Sequence, residues 1–228
     1  MFEVEHSIVP REFVQISFLK ELYEEKFSNK VFFKGGTAIR LLYGGKRFSE
    51  DLDFTVLLDE GDFQEQISRL FSKLENQYPL KFKEKKTITG KTYLLTAILP
   101  FLKNNVYVKL DFSLRENVIQ QEKEILKTEY PVVVQSFINC LSKDEILAEK
   151  IRAVLKREKH RDLYDLWILQ ELGAKVDISL ITEMLKYYNE DFDKDELMQR
   201  LKAFTKEGFV KDLRPFVPIN EREARGVV

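Results

Sequence analysis

One segment constrains the fold of this chain more than any other. Residues 31–58 run from Val31-Phe32-Phe33 through Lys34-Gly35-Gly36-Thr37 to Asp51-Leu52-Asp53-Phe54-Thr55-Val56-Leu57-Leu58. The apolar triplet suits a short strand, the glycine pair a turn, and Ile39, Leu42 and Tyr43 a helix that Thr37 is placed to cap. Gly44-Gly45 then ends that helix. From Asp51 the period becomes two: Asp51, Asp53 and Thr55 share one strand face, while Leu52, Phe54 and Val56 share the other. Such a chain alternates strand and helix around a sheet, with acids gathered on one face.

The neighbouring segments extend this pattern. Phe13, Ile16, Leu19, Tyr23 and Phe27 predict an amphipathic helix over 10–27, with Pro10 in its first turn. Phe63, Ile67, Leu70, Phe71 and Leu74 predict another over 61–77. Two strand-like runs, Tyr93–Leu99 and Val106–Leu114, flank a turn at Lys103-Asn104-Asn105; the second places Tyr107, Lys109 and Asp111 on its polar side. Beyond about residue 118 strand signals vanish apart from Val132–Val134, and helical spacing dominates to about 205. The expected organisation is an α/β lobe over 1–118 and a helical lobe over 119–228.

Composition narrows the class. The 228 residues hold 37 Lys+Arg against 38 Asp+Glu, a net charge of −1, so a broad basic coat for nucleic acid is excluded and any such contact must be a local patch. With 44 % hydrophobic residues, including 18 Phe and 9 Tyr, the chain can build a real, aromatic-rich core. Cys140 is the single cysteine, and His6 and His160 are far apart, so neither a disulfide nor a Cys/His zinc set is expected. The N-terminus lacks a signal-peptide pattern and no stretch reaches membrane-spanning length, which points to a cytoplasmic protein without membrane contact.

Chemistry concentrates in a few residues. A glycine turn at a helix start favours an anionic phosphate, making Lys34, Gly35, Gly36 and Thr37 candidates for substrate binding, with Ser49 close by in sequence. Asp51 and Asp53, at i and i+2 on one face, carry hard oxygen ligands of the kind Mg²⁺ prefers, and their mutual repulsion is relieved by a cation. If the strand carrying Asp111 lies beside theirs, three carboxylates could hold two metal ions and support nucleotidyl transfer. In the helix over 145–155, Lys150 falls within the arc of Ile146, Leu147, Ile151, Val154 and Leu155; it either snorkels to a rim or reaches a triphosphate across a cleft. Asp162 and Asp165 share a helix face, although Arg161 and Asp165 could simply pair at i, i+4. Two stretches are locally basic: five Lys against Glu84 over 81–91, and six Lys/Arg against two Glu over 146–161, each +4. Either could meet phosphates or be a solvated face. The acidic run Glu190–Glu196 reads as a solvent-facing loop.

Together, Phe33-Lys34-Gly35-Gly36-Thr37-Ala38, Arg47-Phe48-Ser49-Glu50-Asp51-Leu52-Asp53-Phe54, Glu149-Lys150 and Arg161-Asp162-Leu163-Tyr164-Asp165-Leu166 resemble the AbiEii/AbiGii nucleotidyltransferase toxins of the DNA polymerase β-like superfamily. The resemblance spans about residues 30–170. It implies an α+β fold, a nucleotidyltransferase-type mixed sheet flanked by helices and followed by a C-terminal helical lobe. It also implies an NTP substrate, two Mg²⁺ ions, a cognate antitoxin protein, a link to phage defence, and tRNA 3′ ends as acceptor. By position, Asp51 and Asp53 would bind metal, with Asp111 as a third carboxylate, and Lys150 would be the essential lysine. Asp162 or Asp165 would be the acid of the last motif, with Arg161 beside it at the substrate. The threonine after Gly-Gly, where the superfamily usually has serine, keeps the hydroxyl. Two alternatives stand beside this reading: a nucleotidyltransferase acting on a small molecule or protein hydroxyl, and a non-catalytic cation-binding interaction protein.

Overall fold

The computed structural model describes residues 3–126 and 128–217, with side chains from Ile8 onward, so the His6 side chain lies outside it. Seven strands form one mixed sheet: β1 (Val31–Lys34), β2 (Asp51–Val56), β3 (Leu80–Lys85), β4 (Lys91–Ala97), β5 (Val106–Ser113), β6 (Gln121–Glu124) and β7 (Ile138–Leu141), in the order β3-β4-β5-β2-β1-β7-β6. The strands β1 and β2 run antiparallel, with Lys34 opposite Asp53. The strands β2 and β5 run parallel, with Asp53 opposite Asp111. The expected hairpin is present as β4–β5, closing at Ala97 opposite Val106.

Helices α1 (Glu3–Glu24) and α3 (Glu60–Gln77) cover the apolar face of the sheet, whereas α2 (Gly35–Leu41) links β1 to the loop before β2. Phenylalanines build the core. Phe54 stacks on Phe112 at 4.8 Å between centroids, Phe33 and Phe63 flank that pair, and Phe71 of α3 stacks on Phe82 of β3 at 4.0 Å. Ring pairs like these add about 0.5–1.5 kcal/mol each beyond the area they bury. After β7 the chain is helical: α4 (Lys143–Lys156), α5 (His160–Glu171), α6 (Ile178–Lys186), α7 (Lys194–Ala203) and α8 (Lys206–Leu213). Ser142 caps α4 by accepting from the Glu145 N–H, and Asp177 and Asp193 cap α6 and α7 in the same manner.

Four expectations need correction. Pro10 lies inside α1 rather than in its first turn. The helix tolerates the lost N–H because Val14, Phe18, Leu19 and Leu22 beyond it are locked in the core. Strands do not end near residue 118: β6 and β7 extend the sheet from the far side of β1, and β3 lies within the lysine-rich stretch 81–91. All three are short or strongly charged, so backbone pairing rather than side-chain pattern makes them strands. Val132–Val134, by contrast, form no strand; Val132 and Val133 line an apolar cavity of about 330 Å³ beside α1. Glu190, finally, is not a bare loop acid, because it pairs with Arg152 at 3.0 Å and Lys156 at 3.3 Å.

Candidate active site

The polar face of the sheet brings Asp51, Asp53 and Asp111 together. Register puts Asp53 directly across from Asp111, with Asp51 two residues along on the same side of β2. Burial, then the charges of Asp51 and Asp111, push the Asp53 carboxyl up to about 6; burial also raises Asp51. Asp111 is engaged on both oxygens, accepting from the Thr92 hydroxyl at 2.5 Å and pairing with Lys109. The three carboxylates share a face without closing on one point: among the described residues no three His, Cys, Asp or Glu side chains are grouped tightly enough to hold a metal ion.

The glycine turn packs against this face. Gly35 has a φ of +78°, and a Cβ there would collide with the Asp53 carboxylate, so both conformation and space demand glycine. A Cβ on Gly36 would meet the Arg47 guanidinium and the Ser49 hydroxyl. Thr37 is not the cap that its position suggests. The helix begins at Gly35, and the Thr37 hydroxyl donates instead to the Asp51 carbonyl at 2.5 Å, fastening α2 to β2. The Ser49 carbonyl is held at 3.1 Å by Gln15 of α1.

Lys34 and Lys150 enter from opposite sides of a cleft. The cleft, about 320 Å³, is lined by Lys34, Gly35, Asp53, Glu149, Lys150, Arg152, Lys156 and Arg157, with Met184 and Tyr188 as its apolar wall. Burial opposes the Lys34 charge, but Glu149 at 2.6 Å and Glu116 at 3.7 Å outweigh it and hold its pKa above the ordinary lysine value. Lys150 neither snorkels to solvent nor stands alone. Its ammonium lies 3.0 Å from Asp162 and 2.8 Å from Asp165, which overcome its burial and keep it charged.

Beneath the cleft these two aspartates anchor a buried ion-pair network. Asp162 and Asp165 are only 0 % and 1 % exposed. Arg47 donates to both Asp165 oxygens at 2.6 Å, and Arg157 pairs with Asp162 at 2.8 Å. Burial alone would raise both carboxyls, yet Lys150 and the arginines reverse the sign; Asp162 falls to about 2 and Asp165 also lies below its usual value. The pairing of Arg161 with Asp165 is not formed. Arg161 instead lies 5.6 Å from the Phe216 ring, near enough to Asp51 to oppose its rise.

Arg47 and Arg157 join the site from the structure, and each carries a usable sequence signal. Arg47 stands four residues before Asp51 in a glycine-bounded loop, and Arg157 belongs to the basic stretch 146–161. What sequence spacing could not supply was the buried carboxylate each one meets.

Comparison with known proteins identifies the family and the fold. The family model described as "Nucleotidyl transferase AbiEii toxin, Type IV TA system" matches residues 17–222. Two crystal structures from Helicobacter pylori are similar over 90 % of this chain, each with a TM-score of 0.51. JHP933 is 24 % identical, with 78 % of its chain covered. A putative nucleotidyltransferase is 25 % identical, with 80 % covered. No curated protein matches. The extent of the family match, over a mixed sheet that presents these acids beside a basic cleft, establishes that the chain belongs to the AbiEii nucleotidyl transferase toxin family of type IV toxin–antitoxin systems.

Proposed function

We propose that this toxin transfers a nucleoside monophosphate from an NTP to a hydroxyl at a tRNA 3′ end, with Mg²⁺ held by Asp51, Asp53 and Asp111. The observation that carries the proposal is the meeting of two chemistries at one place: five cationic side chains (Lys34, Lys150, Arg152, Lys156, Arg157) line the cleft next to the acidic strand face, each oriented by a carboxylate partner. A triphosphate suits the first and divalent ions suit the second.

The donor chemistry suits the metal, and the three carboxylates would have to draw closer to hold an ion. Three carboxylates on one face supply hard oxygens, and a cation would offset both the burial and the neighbouring charges that raise Asp53. Asp111 would have to exchange Lys109 for the ion. When bound, two Mg²⁺ ions would supply Lewis acidity for the attacking hydroxyl and charge neutralisation for the departing pyrophosphate.

The chain's own residues do the rest. Lys34 and Lys150 direct positive charge at the phosphates, and their fixed partners remove the need to reorganise as charge develops. Asp162 and Asp165 are positioning residues for Lys150, so both acids of the last motif share the task. Gly35 lets the turn lie against the Asp53 carboxylate at the cleft floor, Gly36 leaves room for Arg47 and Ser49, and Thr37 fastens the turn to β2, where it would present backbone N–H groups to a phosphate. Arg161, near enough to Asp51 for its charge to be felt there, would meet the acceptor. Arg152, whose guanidinium lies 3.2 Å from the Tyr188 ring centroid, forms a flat wall suited to a base.

The test is transfer of labelled NMP to purified tRNA. EDTA should abolish labelling and Mg²⁺ restore it; labelling of tRNA-free extract alone would move the acceptor to a small molecule or protein. A cognate antitoxin is the expected partner, and its co-expression should relieve growth arrest by an active toxin but have no effect with Asp53→Asn.

A further inference from the structure

The sheet face that carries the three carboxylates continues past them, and its outer half is bare. On β5 it presents Tyr107 and Lys109, on β4 Leu94 and Thr96, with Thr92 buried against Asp111, and on β3 Lys81, Lys83 and Lys85, as the registers Lys81 to Thr96, Lys83 to Leu94, Lys85 to Thr92 and Leu94 to Lys109 require. Among the described residues no helix packs over this half. Tyr107 is 49 % exposed, the Lys109 side chain 48 %, and all three β3 lysines are exposed. The opposite face of the same strands is filled by Phe82, Tyr93, Leu95, Val108 and Leu110.

We infer that this bare half-face is the track for the single-stranded 3′ segment of the RNA acceptor, entering at β3 and delivering its terminal hydroxyl to Asp53 and Asp111. The inference rests on the nucleotidyl-transfer reading of the site above. Three observations carry it. First, the face is complementary to a phosphate backbone: outward from Asp111 it holds four lysines and no acid, since Glu84, the one acid of β3, points to the other face and pairs with Lys91. Second, edge protection against strand pairing accounts for lysines on β3 and the Asp111 pair accounts for Lys109, but neither accounts for an exposed tyrosine two strands in from the edge. A solvent-facing ring on a sheet, flanked by cations, is a stacking platform for a base. Third, the two basic stretches divide the work. Lys150, Arg152, Lys156 and Arg157 of the 146–161 stretch line the nucleotide cleft, leaving the 81–91 stretch as the cationic surface on the far side of the carboxylates. Three strand spacings, about 14 Å, separate β3 from β2, a reach of only a few nucleotides.

The test compares wild type with Lys81→Gln/Lys83→Gln/Lys85→Gln and with Tyr107→Thr. Binding and extension of a single-stranded RNA oligonucleotide are measured across salt concentration, and NTP affinity is measured separately by calorimetry. The triple variant should bind the RNA at least about tenfold more weakly and lower the slope of log affinity against log salt by about 2, since each phosphate contact on a single strand contributes about 0.7. Tyr107→Thr should weaken binding about tenfold with the slope unchanged. Both should raise KM for RNA and leave NTP affinity as in wild type. RNA binding and extension at wild-type levels in both variants would overturn the track and leave nucleotidyl transfer standing. Failure of the wild-type protein to bind NTP or to transfer it to any hydroxyl would overturn the functional reading itself. Transfer to a protein or small molecule only would remove the RNA acceptor, and the track with it.

Discussion

At the scale of single residues, the site shows function set against stability. Asp53 sits half-buried between Asp51 and Asp111, where three like charges repel in the absence of a cation. Asp53→Asn should therefore abolish transfer, by about 10³-fold or more if the metal supplies roughly 4 kcal/mol, while leaving the metal-free melting temperature unchanged or higher. A calorimetric scan in EDTA alongside an activity assay checks both halves; a large fall in Tm would show the carboxylate to be structural. Gly35 provides a complementary case. Gly35→Ala combines a positive φ with a collision against Asp53 and should cost about 2–3 kcal/mol in urea unfolding as well as activity. Gly173→Ala, also at positive φ but facing open space, should cost only about 1 kcal/mol. Equal losses at the two positions would mean that the close approach to Asp53 has no effect.

At the scale of elements, buried charge joins parts of the chain that have no sequence proximity. The Arg47–Asp165 pair ties the loop after α2 to α5 across 118 residues, and Lys150 ties α4 to the same carboxylate. Removing one partner from such a pair costs about 3–5 kcal/mol, because the remaining charge stays buried. Asp165 keeps Lys150 at 2.8 Å, so Arg47→Ala should destabilise by less than that, and Arg47→Lys should recover only part of the loss, since a single ammonium cannot reproduce the two-pronged contact. Adding Asp165→Asn to Arg47→Ala should lower stability further, because it also takes a carboxylate from the buried Lys150. Denaturant titrations of the four proteins provide the double-mutant cycle.

The whole molecule should show opposing pH limbs. Asp162 is held near 2, below its ordinary 3.8, so it stabilises the fold above about pH 4 and that contribution is lost as pH falls toward 2. Glu145, 2 % exposed at the start of α4, is pushed up to about 7 by burial although the Ile119 and Gln120 N–H groups donate to it. Its folded state binds the proton more tightly than its unfolded state, so stability falls as pH rises from about 4.5 to 7, by roughly 3 kcal/mol. Wild type should thus be most stable in mild acid, and Glu145→Gln, which keeps a carbonyl acceptor, should flatten the neutral limb while preserving the acid one. Unfolding midpoints between pH 3 and 8 decide this; an unchanged neutral limb in the variant would assign the loss to other groups.

The strand–glycine–helix segment, the Asp-x-Asp face and the β4–β5 hairpin were legible because period and turn chemistry are local properties. So was the family, whose motifs lie in short runs. Strands β3, β6 and β7 were not legible: LKFKEK, QEKE and INCL are strands because a neighbour offers hydrogen-bond partners, and that neighbour is distant in sequence. The sequence by itself determined which side chains could carry the chemistry. Tertiary structure alone decided that Asp111 lies opposite Asp53, that Arg47 and Lys150 meet Asp165, and that the lysines of β3 share a face with the carboxylates. The physical reason is the same in each case: charges act over a few ångströms of space, and strand register brings together residues that sequence separation keeps apart.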